Sequence, residues 1–216
     1  MKNRFLSSLA LLIAALFLAN CAKEPEITLG PNGKPVDKDG KPFNPYEPGT
    51  YDHFKAEHDY PKTSKIWKND QLLPSTGPHN SRLVFKKDIQ RGFLMNGDEV
   101  VIDYPISTGT RNFPTPTGTF RILEKTVNKK SNTYGTVYDA DGGRVYGKEK
   151  YTDVPEGGSF SGAPMPYWMR LTKDGVGHHI GNVPRYPASH GCIRGPRAVV
   201  PIVYKKVKVG TEVVVE

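Results

Sequence analysis

The 216-residue sequence predicts a mostly β protein. From residue 81 onward, short runs rich in β-branched and aromatic residues alternate with Gly, Pro, Asn and Asp. Asn96-Gly97, which separates two of these runs, is a strong signal for a β-hairpin. The closing stretch VGTEVVVE has the pattern of a turn followed by a strand. Residues 81–216 are therefore expected to form one β-rich domain with its own core.

Individual elements follow from the same signals. Strands are predicted at 82–86, 92–95, 99–103 and 119–123, and a buried strand at 166–172. Residues 124–163 are long, polar and rich in glycine, which predicts a lid-like functional loop. Pro196 is expected to open a short helix that Pro201 breaks or kinks early.

The N-terminus has the pattern of an export signal. Lys2 and Arg4 precede an apolar stretch, residues 5–19, which is too short to span a bilayer comfortably. Residues 1–20 are thus predicted to be a lipoprotein signal peptide, since the end of the stretch, LANC, resembles a lipobox with Cys21 as the lipidated residue. Ordinary cleavage without lipid is the alternative. A lipid anchor facing the periplasm is expected, on the outer membrane because Ala22 replaces the aspartate of an inner-membrane retention signal.

Two segments separate this signal from the β-rich domain. Residues 21–48 are rich in Pro, Gly and charge and are predicted to be a flexible tether. Asp37-x-Asp39-Gly within it lacks the remaining ligands of a calcium loop. Residues 49–80 carry enough large apolar side chains to predict an extension, with one or two short helices, that docks on the main domain.

Composition argues against several functions. The formal net charge is +8, but the basic residues are dispersed and form no arginine-rich helix or aromatic-basic motif, so no nucleic-acid partner is expected. The sequence has no C-x-x-C or H-E-x-x-H, and we expect no metal. Nothing in it indicates oligomerisation, so a monomer is expected.

Cys192, in the stretch PASHGCIRGP, is the strongest candidate for a reactive residue. Lipidation of Cys21 leaves it without a disulfide partner, and a lone cysteine in an exported protein is a candidate nucleophile. His190, two residues earlier, is predicted to be the general base that lowers the pKa of the thiol. Gly191 gives the substrate access, and the backbone N–H groups at Gly191 and Cys192 are expected to hold an oxyanion. This stretch of sequence contains no acidic residue, so a backbone carbonyl is expected to orient the imidazole.

Four separated motifs resemble the L,D-transpeptidases, the YkuD-like family, and occur in the family's order: Thr108-Gly109, PTPTGTF, HIGNVPRYPASHGCIRGP and VKVGTEV. The resemblance covers residues 81–216 and implies a β-sandwich or barrel-like catalytic domain. It implies Cys192 as nucleophile and His190 as general base, with Ser189, Gly191 and Arg194 as further signature residues. His179 stands at the position of the family's upstream histidine, with His178 beside it.

The resemblance also implies a reaction. Cys192 would attack the third residue of a peptidoglycan stem tetrapeptide, release D-alanine, and pass the acyl group to an amine to form a 3→3 cross-link or attach a protein. No cofactor is implied. His178, Tyr167 and Trp168 are expected near the acyl donor, with core packing as the alternative for the two aromatic residues. Arg194 is expected to pair with a substrate carboxylate or to pack against the domain. A hydrolase on the same scaffold and a non-catalytic wall-binding lipoprotein are the alternative functions.

Overall fold

The computed structural model describes residues 27–216, so the predicted signal peptide and Cys21 lie outside the described residues. Residues 27–43 form a small unit of their own. In it, β1 (Thr28–Leu29) pairs antiparallel with β2 (Pro35–Val36). The Asp37 carboxylate accepts the backbone N–H groups of Asp39 and Lys41, each at 2.9 Å. This part of the predicted tether therefore contains a turn-rich hairpin, in which the Asp37 carboxylate stabilises a turn.

Residues 44–216 form the second unit, which contains two sheets. The larger sheet has six strands: β3 (Trp67–Lys68), β4 (Ser81–Lys86), β5 (Arg91–Asn96), β6 (Glu99–Pro105), β7 (Gly118–Arg121) and β12 (Glu212–Val215). Their order is β3-β6-β5-β4-β12-β7, with β4 and β12 parallel and the other pairs antiparallel. The Asn96-Gly97 hairpin is confirmed, and Gly97 has the positive φ of 56° that such a turn requires.

The smaller sheet has four strands in the order β11-β10-β9-β8. They are β8 (Glu124–Tyr138), β9 (Ser159–Arg170), β10 (Gly177–Ile180) and β11 (Ile193–Gly195). Strands β8 and β9 pair antiparallel as a long ribbon, and a 3₁₀ turn, Tyr151–Asp153, lies between them. The loop predicted over 124–163 is thus wrong for half of its length, and residues 139–158 connect the two strands. Most of the β8 side chains are at least partly exposed, so the strand shows no apolar alternation that would reveal it in the sequence.

One core joins the two sheets. Its members include Leu83 and Phe85 on β4, Met169 on β9, Ile180 on β10 and Ile193 on β11. Helix α2 (Val200–Lys206) closes this core with Val200 and Val203. Pro201 lies in the first turn of α2, where a missing N–H costs nothing, so it starts the helix and does not break it.

The extension before residue 81 contacts the outer side of the larger sheet. It contains helix α1 (Tyr51–Ala56) and β3, which pairs with β6. The hydroxyls of Tyr51 and Tyr60 donate to Asp103 Oδ2 at 2.9 and 3.1 Å. Arg91, fully buried, binds Asp103 Oδ1 at 2.6 Å and donates to the carbonyl of Thr63 at 3.0 Å. A buried ion pair and its hydrogen bonds therefore join the extension to the sheet.

The fold is mostly β, as the sequence predicted. Within residues 27–216, no helix has the length and apolar character needed to span a membrane.

Candidate active site

A cavity of about 580 Å³ opens where the smaller sheet meets the loop before β11. It brings together residues that are far apart in the sequence. The residues that line it include Trp168, Arg170, His179, Ser189, His190, Cys192 and Arg194. Most of the predicted site residues therefore line one cavity.

Cys192 is partly buried at this cavity, directly before β11. Its thiol Sγ lies 3.7 Å from the carbonyl oxygen of Gly175, to which the thiol donates. Burial raises the pKa of Cys192, although the Gly177 backbone N–H and the charges of Arg194 and Arg170 act in the opposite direction. The expected lowering of this pKa is therefore wrong, and the resting thiol is protonated and requires a base.

Two hydroxyl groups hold the loop that carries Cys192. Ser189 Oγ accepts the Gly191 N–H at 3.1 Å and donates to the Cys192 carbonyl at 2.5 Å. Thr115 Oγ1 donates to the Gly191 carbonyl at 2.7 Å and accepts the Gly109 N–H at 2.8 Å. The motifs around Gly109 and Thr115, distant in sequence, thus act on the conformation of the Cys192 loop.

Gly191 has a different role from the one predicted. Its φ of 106° lies in a region that only glycine adopts readily, which confirms the need for an unusual backbone angle. Its N–H, however, already donates to Ser189 Oγ, so the prediction that this N–H holds an oxyanion is wrong. The Cys192 N–H, like that of His190, makes no hydrogen bond to any residue in 27–216, so it is available as a donor.

His179 is the histidine that a backbone carbonyl orients. Its Nδ1 lies 2.7 Å from the carbonyl oxygen of Ile180. A carbonyl only accepts, so Nδ1 carries the proton and Nε2 is left as a proton acceptor. Burial lowers the pKa of His179 to about 4, so the ring is neutral at neutral pH. The carbonyl predicted to orient His190 is therefore found at His179.

Strand register explains why His179 and Cys192 share a cavity. His178 pairs with Ile193, and His179 with Arg194, across parallel β10 and β11. Successive side chains on a strand alternate between faces, so Cys192, Arg194 and His179 lie on the cavity face. Ile193 and His178 lie on the core face.

His178 is a core residue, and its predicted contact with substrate is wrong. It is fully buried, its Nδ1 donates to the Ile193 carbonyl at 2.9 Å, and its Nε2 lies 3.1 Å from the Tyr104 hydroxyl. Burial lowers its pKa to about 3. The ring also explains why residue 195 is glycine. A Cβ at this position would lie 2.7 Å from His178 Cε1 and 2.6 Å from Val200 Cγ2.

His190 lines the cavity in a different environment. Its ring stacks on Tyr134 at a centroid distance of 4.2 Å and meets the edge of Phe113 at 4.7 Å. Its Nε2 lies 3.5 Å from Glu149 Oε1. Within residues 27–216 neither His190 nor His179 is hydrogen-bonded to Cys192. The i, i+2 spacing of His190 and Cys192 brings both to the cavity, with Gly191 at a positive φ between them.

The remaining predicted residues divide between cavity and core. Arg194 lines the cavity, with its side-chain stem against Gly181 and no ion pair to any residue in 27–216. Trp168 lines the cavity while 1% exposed, so it forms part of the floor. Tyr167 lies outside the cavity lining, with its ring 5.4 Å from that of Tyr204 on α2. Its expected place near the acyl donor is wrong, and the packing alternative holds.

Several cavity residues had no separate signal in the sequence. Ser131, Asn132, Thr133 and Tyr134 project from β8 into the cavity wall. Glu149, outside the cavity lining, reaches His190 from the segment between β8 and β9. They fall in the segment interpreted as a loop, where no motif distinguishes them. Among residues 27–216, no group of three or more His, Cys, Asp or Glu side chains has the arrangement of a metal site.

The fold and the cavity define a mostly β domain built around a thiol-bearing loop. Residues 80–215 match the family model of the YkuD L,D-transpeptidase catalytic domain. The chain therefore belongs to this family, as its motifs predicted.

Solved structures with a similar fold include three L,D-transpeptidases. The enzyme from Mycobacterium smegmatis is 24% identical, with a TM-score of 0.47 over 63% of this chain and 58% of that chain. L,D-transpeptidase 1 of Mycobacterium tuberculosis is also 24% identical, with a TM-score of 0.44 over 63% and 61%. The Xylanimonas cellulosilytica protein is 18% identical, with a TM-score of 0.48 over 65% and 62%. The chain thus spans less than two thirds of each. No curated protein was found to match it.

Proposed function

We propose that the protein is a cysteine-dependent L,D-transpeptidase that acts on peptidoglycan stem peptides. The observation that carries the proposal is that the Cys192 thiol and the carbonyl-oriented, neutral imidazole of His179 line one cavity, on the same face of β10 and the segment leading into β11. A protonated thiol and a proton acceptor that share a cavity supply the two groups needed for nucleophilic acyl transfer.

The first step is acylation. The thiol sulfur bonds to the carbonyl carbon of the third stem residue while the thiol proton passes to an imidazole. The bond to the terminal D-alanine then breaks, and the imidazole returns the proton to the leaving amine. His190 was predicted as the base, but the hydrogen bonding favours His179. The Cys192 N–H supports the oxyanion formed during the step.

The second step releases the acyl group to an acceptor. An amine of another stem gives a 3→3 cross-link, an amine of a protein attaches that protein, and water gives a tripeptide. The cavity contains four cationic side chains, Lys129, Arg170, Lys173 and Arg194, and one carboxylate, Asp174. This excess of positive charge suits a donor stem that carries free carboxylates.

The proposal also includes the cellular location and the oligomeric state of the protein. The LANC sequence at residues 18–21 supports a lipid anchor on Cys21 in the cell envelope, facing the periplasm, on the outer membrane. We propose that the protein acts there as a monomer.

The first test mixes the full chain, purified in detergent, with a disaccharide tetrapeptide that carries a diamino acid. Mass spectrometry follows both the products and the intact protein. We expect an acyl adduct on the protein and dimers joined through the third residues, both absent with Cys192→Ala. Tripeptide without dimer indicates a hydrolase. An intact tetrapeptide with no adduct refutes the catalytic proposal and favours a binding role.

A further inference from the structure

His190 is surrounded by side chains that the chemistry at Cys192 does not use. Tyr134 stacks on one face of the ring, the edge of Phe113 meets it, and Glu149 Oε1 lies 3.5 Å from its Nε2. These three residues come from separate segments of the chain. The carboxylate of Glu149 is 61% exposed and the His190 side chain 31%, so the group opens to solvent.

A bulge in the β8–β9 ribbon builds one side of this group. Pairing shifts between Lys130↔Pro164 and Gly135↔Gly162, so four residues, 131–134, oppose a single residue on β9. Ser131 Oγ accepts the N–H groups of Thr133 and Tyr134 at 3.2 and 3.0 Å, which holds the bulge in a turn. A Cβ on Gly162, which pairs with Gly135 at the edge of the bulge, would lie 2.0 Å from the Ser131 carbonyl oxygen, so the bulge requires glycine at 162.

The bulge also fixes Glu149. The Gly135 N–H donates to the Glu149 carbonyl at 2.8 Å, and Tyr134 forms a β-bridge with Lys150. The backbone of Glu149 is thus attached to the strand that supplies the stacking ring. This attachment brings a carboxylate to His190 from a segment 41 positions away in the sequence.

The charge of Glu149 contrasts with that of the cavity lining. The lining includes the four cations named above, whereas Glu149 places a negative charge beside His190. The Phe113 ring, 39% exposed, adds apolar surface next to it. A carboxylate, an imidazole and an apolar aromatic surface together match an ammonium group on an aliphatic chain.

We propose that Glu149 and His190 form the acceptor subsite, which recognises a primary ammonium on an aliphatic side chain and favours aminolysis of the thioester over hydrolysis. This rests on the proposed acyl-transfer function. Glu149 pairs with the ammonium, and His190 takes one of its protons. The amine nitrogen then bonds to the thioester carbon, and the carbon–sulfur bond breaks. The second amine proton passes through the His179 imidazole to the Cys192 thiolate. His190 releases its proton to water, so ammonium and thioester give amide, thiol and one proton.

The test compares Glu149→Gln with the unaltered full chain in two assays. The first measures the rate of acyl-enzyme formation from the tetrapeptide donor alone. The second measures the ratio of dimer to tripeptide at increasing concentrations of a diamino-acid acceptor. An exposed ion pair contributes up to about 1 kcal/mol, so we expect Glu149→Gln to lower this ratio about three- to fivefold at subsaturating acceptor. The loss should appear as a higher KM for the acceptor, and Glu149→Asp should recover part of it.

Glu156→Gln is the matched control, because it removes the same charge from the same connecting segment between β8 and β9, and Glu156 makes no ion pair within residues 27–216. We expect its ratio to equal that of the unaltered chain. An unchanged ratio in Glu149→Gln, or an equal loss in Glu156→Gln, overturns the acceptor subsite. If the unaltered chain forms no acyl-enzyme at all, the proposed function itself fails, and the two failures are distinguished by the first assay.

Discussion

At the scale of single residues, two histidines compete for the role of base at Cys192. His190 is adjacent in sequence, but its ring is held between Tyr134 and Phe113 and its Nε2 faces Glu149. His179 is thirteen positions away, yet strand pairing puts it on the same face as Cys192, and the Ile180 carbonyl fixes its tautomer. Orientation by a fixed acceptor is what makes an imidazole an efficient base, so the contacts favour His179.

Replacing each histidine by glutamine tests this choice. We expect His179→Gln to slow acyl-enzyme formation by about 10²–10⁴-fold, the usual contribution of general base catalysis, and His190→Gln to slow it less than about tenfold. The measurement is the time course of the acyl adduct on intact protein, with Cys192→Ala as the blank. Circular dichroism of both variants verifies folding. A larger loss in His190→Gln would restore the assignment predicted from the sequence.

At the scale of secondary structure elements, the extension is attached to the larger sheet by a buried charge pair. Arg91 and Asp103 are both fully buried, and Tyr51 and Tyr60 complete the hydrogen bonds of the carboxylate. Burial raises the pKa of Asp103, and burial next to this carboxylate raises the pKa of Tyr60 to about 12, so both tyrosines remain donors at neutral pH. Removing one member of such a pair leaves an uncompensated charge in the interior.

We therefore expect Arg91→Met to lower the free energy of unfolding by about 3–5 kcal/mol, because the buried Asp103 carboxylate loses its partner. Arg82→Met, which breaks the exposed pair between Arg82 and Asp98, should cost less than about 1 kcal/mol. Urea unfolding of the two variants and the unaltered chain measures both values. Equal and small losses would contradict the view that the extension is held by the buried pair.

At the scale of the whole molecule, two neutral histidines link stability to pH. The folded-state pKa values of His178 and His179, about 3 and about 4, lie below the ordinary value of 6.5 because of burial. The unfolded chain therefore binds protons first as the pH falls. The stability due to the neutral rings is complete above about pH 6.5 and is lost progressively toward pH 4.

His179→Gln removes one of these two histidines, so the unfolding free energy of this variant should depend less steeply on pH. Between pH 6 and pH 5, the unfolding free energy of the unaltered chain should fall by roughly 1 kcal/mol more than that of the variant. Contributions common to both chains, including that of Asp103, cancel in this difference. Urea unfolding at pH 7, 6 and 5 supplies the data, and parallel slopes would show that His179 does not titrate as its burial requires.

The sequence by itself determined the features that depend on local residues. Asn96-Gly97 specified a hairpin because few residues adopt its backbone angles, and the motif around Cys192 identified the thiol and its family. The need for glycine at 191 was likewise local, since a tight loop beside the thiol requires a positive φ.

Tertiary structure alone decided the features that depend on register and burial. Which of His178 and His179 faces the cavity follows from the pairing of β10 with β11, where a shift of one residue exchanges the two faces. The direction of the Cys192 pKa shift follows from desolvation, which is a property of the assembled cavity. Strand β8 and residues 159–165 of β9 were not recognised because their largely exposed residues need no apolar alternation, and the approach of this ribbon to His190 arises only from long-range pairing.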